Sequence, residues 1–327
     1  MDSVVRTEEM TAAGDRRARA TVRRAARRLR RVWRRARSDG VRHPWYAGLT
    51  FALTDEAARE RGLRIIAPER PGYGLSDYCR QDALARTAED LNTLADALVL
   101  DRFALIGVSG GGPHAMAAAA SMPDRIALLA LISPVGPIAE CHRRIRMTLF
   151  HRLVFTRMGR SKRACASFFW SLRNLIRLAP GVAHAALTRR VAPSDRAILT
   201  RADVRTNLRA AVSEGLRPGI KGALQDLRLF CGPWDLPLAE IDVPTIMWQG
   251  SDDTIVPPQA AYHLAETLPN CQLDIVQGAG HYWVFTQFAR VLDAVQAALQ
   301  PAFGGPGCGV NAQPGKATSQ MCAALWR

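Results

Sequence analysis

The most constraining stretch of this sequence is residues 103–122, which read FALIGVSGGGPHAMAAAASM. Apolar residues lead directly into the pentapeptide GVSGG, and an Ala-rich run of good helix formers follows it. The pattern predicts a strand, a sharp turn and a helix, and a Gly-x-Ser-x-Gly turn in this context places its Ser on a strained corner. Such a corner lifts the Ser109 hydroxyl clear of the sheet and directs the free N–H groups of the helix N-terminus at an anion beside it.

The two glycines that flank the serine are expected to lie where a side chain would not fit. A side chain at Gly107 or Gly111 would meet the neighbouring strand and helix, so we expect neither position to have room for a Cβ. Other Gly-rich motifs fit less well, because no Lys follows the glycines as a phosphate-binding P-loop requires and the dinucleotide fingerprint is not matched. A nucleophilic serine is therefore the favoured interpretation over an ordinary Gly-rich turn or a phosphate loop.

Strand and helix patterns alternate around this turn, which implies a parallel, doubly wound sheet. Short apolar runs predict strands, and amphipathic runs predict helices. The predicted strands are residues 63–67, 103–106, 126–132, 244–248 and 272–276. The predicted helices of this part are residues 51–61, 87–98 and 286–299, beside the helix that follows the turn. The loop at residues 68–77, PERPGYGLSD, continues neither element.

The strand pattern stops in residues 137–235, where Arg-rich helical segments take over. This region holds 19 Lys and Arg against 6 Asp and Glu. We predict a helical cap inserted over the site, and we interpret its apolar stripes as core contacts. Its positive charge fits a solvated face, an attraction for an anionic substrate or an attraction for lipid headgroups. The predicted cap helices are residues 144–158, 163–178, 193–201 and 207–214.

The two ends of the chain differ in composition from the rest. Residues 1–42 hold 14 Arg and 5 acidic residues. Residues 16–37 space their apolar side chains as a basic amphipathic helix would, which suits an anionic membrane surface or nucleic acid. A disordered Arg-rich tail and a degenerate relic are the alternatives for residues 1–47. The Pro/Gly-rich residues 301–327 are predicted to be disordered.

The cysteine pattern and the hydropathy of the sequence bear on the cellular compartment of the protein and on whether it binds a metal. The 7 Cys are scattered without a CxxC pair, which predicts reduced thiols in a cytosol and argues against a zinc site. No run of 18 apolar residues predicts a membrane-spanning helix, and no signal peptide is recognised at the N-terminus. We therefore expect a cytoplasmic protein that uses neither a metal nor a cofactor.

Acyl transfer by a serine needs a base that takes its proton and an acid that holds the base in place. Ser109 is followed in the chain by the acidic loop GSDDTIVP at residues 250–257 and then by His281. Each of the three lies just past the carboxyl end of a predicted strand, where sheets of this type place their sites. The remaining histidines lack this context, and His114, on the helix after the turn, is interpreted as a packing residue.

Residues 62–285 resemble the α/β-hydrolase superfamily, in particular its esterase, lipase and proline-iminopeptidase-like group. Four motifs support the resemblance: PERPGYGLSD, GVSGGGPHA, GSDDTIVP and GAGHYWVF. The resemblance implies the α/β-hydrolase fold, a mostly parallel sheet flanked by helices with a helical cap insertion. It divides the chain into a basic segment at 1–47, core parts at 48–136 and 236–300, the cap at 137–235 and the tail at 301–327.

The same resemblance assigns roles to individual residues. Ser109 is the nucleophile, His281 the general base and Asp253 the acid, with the adjacent Asp252 as its competitor. The backbone N–H of Gly110 is one donor of the oxyanion hole. A serine at position 109, where dehalogenases and epoxide hydrolases of this fold carry Asp, argues against those two classes.

Two family features are not recognised in the sequence. The family places its second oxyanion donor on a His-Gly-rich loop just before residue 51, and it places a strand between those at 63–67 and 103–106. We hypothesise that residues 1–47 are out of frame or come from a wrongly predicted start, because one assumed GC-rich coding of residues 42–48, read in a shifted frame, gives Gly-Thr-Pro-Gly-Thr-Arg, similar to that loop. The N-terminal strands are accordingly expected to be degenerate, and the activity to be impaired.

The expected activity is hydrolysis of an ester or a small amide through an acyl-enzyme on Ser109. The alternative is a catalytically impaired member of the fold that binds an anionic membrane or nucleic acid through its Arg-rich N-terminus. The core itself is not expected to bind nucleic acid, peripheral membrane contact is assigned to the basic segments, and the oligomeric state is left open.

Overall fold

The computed structural model of the chain describes residues 54–74, 76–80, 83–137 and 161–300. In the first half the elements are α1 (Asp55–Glu60), α2 (Ala83–Ala97), β1 (Phe103–Val108), α3 (Gly112–Ser121) and β2 (Ile126–Ile132). The cap region contains α4 (Lys162–Leu178), α5 (Pro180–Thr188), α6 (Pro193–Thr200), α7 (Ala202–Gly215) and α8 (Lys221–Cys231). The second half of the core adds β3 (Thr245–Gly250), α9 (Pro258–Thr267), β4 (Cys271–Val276) and α10 (Val284–Leu299).

The described strands form one parallel sheet in the order β1-β2-β3-β4. Strand β2, with the sequence IALLALI, is buried at every position, as a continuous apolar run in a central parallel strand should be. Because all four strands run in the same direction, the loops that follow β1, β3 and β4 emerge at the same edge of the sheet. The predicted parallel sheet flanked by helices is therefore confirmed.

Helices cover both faces of the sheet. Successive side chains of β2 point to opposite faces, since the side-chain repeat of a strand is two residues. Leu129 and Leu131 join a core cluster with side chains from α2, α3 and α9. Leu128, Ala130 and Ile132 join a second cluster with side chains from α1 and α10. The sheet is thus the middle layer of three, and its loop-bearing edge is held rigidly from both sides.

The predicted strand at residues 63–67 is wrong. This segment has no regular secondary structure and pairs with no described residue. Leu63 and Ile65 nevertheless pack against the core cluster that includes Trp283. An apolar pattern indicates only that side chains are buried, whereas a strand also needs a neighbour for its hydrogen-bond ladder. In the described part of the chain, β1 is the edge strand on this side, so the segment has no such neighbour.

The helical character of the cap is confirmed for residues 162–231, with differences in detail. Helices α5 and α8 were not among the predicted cap helices. Proline is tolerated in the first turn of a helix, where its missing N–H would have no partner in any case, and α5 begins in this way at Pro180. The predicted helix at 144–158 and the end segments 1–47 and 301–327 lie outside the described residues. The domain boundaries stay predictions.

Candidate active site

The predicted strand-turn-helix around Ser109 is present. Strand β1 ends at Val108, residues Ser109–Gly111 form a short 3₁₀ turn, and α3 begins at Gly112. Ser109 has a φ of 51°, in the left-handed region that a non-glycine residue rarely adopts. Strain of this kind persists only where the surrounding structure enforces it, and it is concentrated at functional sites.

The expectation that the flanking glycines lack room for a side chain is correct at Gly107 and wrong at Gly111. A Cβ on Gly107 would lie 2.9 Å from the Cβ of Ala115 and 3.0 Å from the Cα of Gly112. A Cβ on Gly111 would have no heavy atom within 4 Å. The second tight position is Gly112, one residue later, where a Cβ would lie 2.7 Å from that of Pro134. The close contact is made by the first helical residue, since the chain has already left the strand there.

The structure brings Ser109, His281 and Asp253 into one hydrogen-bonded row. The Nε2 atom of His281 lies 3.0 Å from the Oγ of Ser109, and its Nδ1 atom lies 2.7 Å from Oδ2 of Asp253. Asp253 comes from the loop after β3 and His281 from the loop after β4, so the three residues meet at the loop-bearing edge of the sheet. Both His281 and Asp253 are buried. The arrangement has the geometry of a nucleophile, a base and an orienting acid.

The two adjacent carboxylates of the acidic loop, those of Asp252 and Asp253, lie in different surroundings. Oδ1 of Asp253 accepts hydrogen bonds from the backbone N–H groups of Ile255 and Val256, each at 2.8 Å. Its Oδ2 also accepts a bond from the side-chain amide of Gln249, which fixes the carboxylate in place. Asp252 is exposed and accepts a bond from the hydroxyl of Ser251. The geometry therefore favours Asp253 over Asp252 as the partner of the histidine.

This geometry agrees with the comparison to known families. The family model for the alpha/beta hydrolase fold matches residues 40–287, which is more than half of the chain. The chain belongs to the α/β-hydrolase fold family. The predicted membership is therefore confirmed, and the matched range includes the whole described sheet and the cap.

Individual relatives of this α/β-hydrolase agree with the assignment. The chain is 26% identical over 240 residues to a 2-hydroxymuconate semialdehyde hydrolase of Pseudomonas putida, covering 70% of this chain and 75% of the relative. An alpha/beta hydrolase fold protein from Nakamurella multipartita is 23% identical, with a TM-score of 0.55 over 78% of this chain and 88% of the other. A bromoperoxidase from Bacillus anthracis is 21% identical, with a TM-score of 0.58 over 77% and 87%. The two structures support the fold alone.

The electrostatics of His281 in this α/β-hydrolase favour its charged form. Burial lowers the pKa of the imidazole, whereas the charge and hydrogen bond of Asp253 and the charge of Asp195 raise it. The balance leaves the pKa of His281 above its ordinary value. A base of this kind is protonated at acidic pH, so it can accept a proton from Ser109 only once the pH has risen through that pKa.

The predicted oxyanion donor Gly110 is the second residue of the 3₁₀ turn that leads into α3. Its backbone N–H lies in the turn just before the N-terminus of α3, where the positive end of the helix dipole lies. The family's second donor is expected from a loop before residue 51 that the sequence does not show, and those residues lie outside the described part of the chain. The described residues contain no group of three His, Cys, Asp or Glu side chains that could hold a metal ion.

A buried ionic cluster links the cap to the core beside the serine turn, and the sequence did not reveal it. Asp226 of α8 forms an ion pair with Arg70 at 2.8 Å and accepts a hydrogen bond from the hydroxyl of Tyr73 at 2.5 Å. Arg70 in turn donates to the carbonyl oxygen of Gly110 at 3.4 Å. His114 is buried next to Asp226, as its predicted packing role requires, and its Nδ1 lies 2.9 Å from the Thr87 hydroxyl. Arg70 lies in the recognised PERPGYG loop, but no local signal pairs it with a residue so distant in sequence.

Replacing Asp226 with Ala should destabilise the protein by about 3–5 kcal/mol, because it removes the buried carboxylate that pairs with Arg70 and accepts the hydroxyl of Tyr73. The charge of Arg70 is also what holds the pKa of Asp226 low although burial raises it. Urea denaturation of the purified variant measures the loss. The exposed Asp242 provides the control, since Asp242→Ala should change the free energy of unfolding by less than about 0.5 kcal/mol. Equal effects of the two substitutions would contradict the assigned role of the cluster.

Proposed function

We propose that this chain is a serine hydrolase that cleaves an ester or a small amide through an acyl-enzyme on Ser109. The supporting observation is the continuous row of hydrogen bonds from buried Asp253 through His281 to the Oγ of Ser109. The positive φ of Ser109 adds to it, because an ordinary surface serine has no reason to be held in a strained conformation.

In the proposed reaction, the Ser109 hydroxyl donates its proton to Nε2 of His281 while Oγ attacks the carbonyl carbon of the substrate. Asp253 accepts a hydrogen bond from Nδ1–H, which fixes the tautomer and stabilises the imidazolium. The imidazolium then protonates the leaving alcohol or amine as the bond to the carbonyl carbon breaks. Water, deprotonated by His281, attacks the acyl ester in the second half and releases the acid and free Ser109.

The negative oxygen of the tetrahedral intermediates is assigned to the backbone N–H of Gly110. The donor belongs to the 3₁₀ turn that leads into α3, so it is already oriented before charge develops. A hole that lacks one of its two donors is slower by about 10²–10³-fold. The hydrolysis rate of the native chain therefore indicates whether a second N–H donor is present in the oxyanion hole.

The charge of the cap and the name of one relative limit the class of substrate that we propose. The cap holds 19 Lys and Arg against 6 Asp and Glu, which favours an anionic substrate. One relative is named for its action on 2-hydroxymuconate semialdehyde, a small unsaturated carboxylate. An enol-carboxylate of this type is accordingly the second candidate substrate class, to be assayed beside neutral and anionic esters.

The proposed enzyme needs neither metal nor cofactor, since a Ser-His-Asp site carries out acyl transfer with its own side chains. Among the described residues, Cys79, Cys165, Cys231 and Cys271 are free thiols. Free thiols in this number are typical of a reducing compartment, and we propose a cytoplasmic location.

Labelling of the purified full-length chain with a fluorophosphonate tests the proposal. We expect one covalent adduct, located on Ser109 by peptide mass spectrometry, and no adduct after heat denaturation. A folded chain that does not label, and does not hydrolyse p-nitrophenyl acetate, would contradict the proposal. The binding-module alternative then predicts salt-dependent affinity for anionic vesicles or nucleic acid through residues 16–37.

A further inference from the structure

We propose that Asp195, a residue of the cap, is a positioning residue that holds the general base His281 in its catalytic orientation. The inference rests on the proposed function above. Asp195 lies in the first turn of α6, and its relative exposure is 0%. Its Oδ2 accepts the backbone N–H of His281 at 2.7 Å, and its Oδ1 accepts the backbone N–H of Tyr282 at 2.7 Å.

The partners of Asp195 are unusual for an acid at this place in a helix. A first-turn acid ordinarily interacts with the free N–H groups of its own helix or remains in water. Both oxygens of Asp195 are instead bonded to backbone N–H groups 86 and 87 residues further along the chain. These groups lie in the loop between β4 and α10, residues 277–283, which we call the histidine loop. Within the described residues Asp195 forms no ion pair with Lys or Arg. Burying a carboxylate without a cation is costly, so a purely structural link at this place would be better made by a neutral side chain.

The histidine loop is shaped to admit this carboxylate. A Cβ on Gly280 would overlap with the Cγ and both oxygens of Asp195. The residue before His281 in the motif GAGH is therefore a glycine that leaves room for an acid from the cap. Gly280 thus leaves the space that the Asp195 carboxylate occupies, which is a second geometric observation beside the hydrogen bonds.

The charge of Asp195 acts on the same imidazole as that of Asp253. Burial raises the pKa of Asp195, while the two backbone N–H groups and His281 lower it and Asp253 raises it, with a net upward direction. In the described part of the chain, the titratable side chains that act on Asp195 are those of His281 and Asp253. The neutral hydroxyl of Ser109 faces the imidazole of His281. The negative charge of Asp195 raises the pKa of His281. Both the orientation and the proton affinity of the base therefore depend on a residue of the cap.

The test compares Asp195→Asn with Asp203→Asn. Asp203 is the corresponding first-turn acid of the next cap helix, α7, and it is exposed and paired with Arg201. The readout is the second-order rate of fluorophosphonate labelling as a function of pH. An Asn side chain can offer only one oxygen to the two N–H groups, so we expect a fall of about 10–100-fold for Asp195→Asn. Asp203→Asn should label at the native rate.

The pH profile separates positioning from a merely structural role. Labelling of the native chain is expected to be lost as the pH falls through the raised pKa of His281. Removing the charge of Asp195 lowers the pKa of His281, so the acid limb of Asp195→Asn should move to lower pH. This midpoint does not depend on how much of the variant is folded. A lower rate with an unmoved midpoint, or an unchanged rate, would overturn the inference.

A second pair of variants keeps the test decisive if Asp195→Asn fails to fold. Gly280→Ala displaces the Asp195 carboxylate without changing any charge, and it should reduce the labelling rate at least tenfold. Gly181→Ala, in α5, is its control, since a Cβ there meets no atom within 4 Å. NMR titration of the His281 ring measures the same pKa without any catalysis. A native chain that does not label therefore contradicts the proposed function, whereas an unshifted His281 pKa in Asp195→Asn contradicts this inference alone.

Discussion

Ser109→Ala is expected to lower the rate of ester hydrolysis by about 10⁶-fold and to abolish fluorophosphonate labelling. Removing the Oγ atom removes the only bond-forming atom of the proposed first step, so the remaining machinery can act only on water. Losses of this size follow when a nucleophile is removed from a Ser-His-Asp site, and they correspond to about 8 kcal/mol of transition-state stabilisation. The fold should be unaffected, because the hydroxyl contributes one hydrogen bond, to His281.

The measurement is p-nitrophenyl acetate hydrolysis at several enzyme concentrations, with circular dichroism to compare folding. Ser121→Ala is the matched control, because Ser121 ends the helix that Ser109 precedes and is exposed. It should retain full activity. If Ser109→Ala kept more than a hundredth of the native rate, the nucleophile would have to be sought at another residue.

The second large effect is expected from Asp253→Asn, which should reduce the turnover rate by about 10⁴-fold. An Asn would keep one oxygen for the N–H groups of Ile255 and Val256 and would turn its NH₂ group towards Nδ1 of His281. The imidazole then accepts at Nδ1 and carries its proton on Nε2, so it points an N–H at the Ser109 hydroxyl and cannot act as a base. The substitution thus changes the tautomer while leaving the shape of the site nearly intact.

Asp252→Asn provides the comparison, since it alters the adjacent residue, which is exposed and bonded to Ser251. We expect its turnover rate to stay within about twofold of the native value. Steady-state kinetics on the two purified variants, with melting temperatures recorded for both, separates loss of catalysis from loss of folding. A larger loss in Asp252→Asn than in Asp253→Asn would reverse the assignment of the acid.

Much of the sheet and of the site was predictable from local patterns. The runs that became β1, β2, β3 and β4 are apolar and short, and each is followed by a Gly-containing loop. Ser109, the acidic loop and His281 were selected because each follows one of these runs, and parallel strands bring such positions to one edge. The resemblance of the loop to the family motif then favoured Asp253. The convergence of these positions therefore needed no knowledge of packing, only of strand direction.

The failures have a common physical origin. Residues 63–67 look like a strand because they are apolar, but pairing depends on a neighbour supplied elsewhere in the chain. Gly111 seemed to need its missing side chain, but the point of closest approach falls at Gly112 because the backbone has already turned into the helix. Each error concerns a contact between segments, which the composition of one segment does not contain.

The sequence by itself determined the fold class, the strained serine turn and the three residues of the proposed triad. The fold class and the turn follow from side-chain periodicity and turn chemistry, which act over a few neighbouring residues, whereas the roles of the three residues were implied by the resemblance of their motifs to the family. Only the tertiary structure decided that Asp226 pairs with Arg70 and that Asp195 of the cap bonds to the backbone beside His281. Those choices depend on where buried charges find partners, and a buried charge is satisfied by whatever group the fold brings within reach, regardless of its distance along the chain.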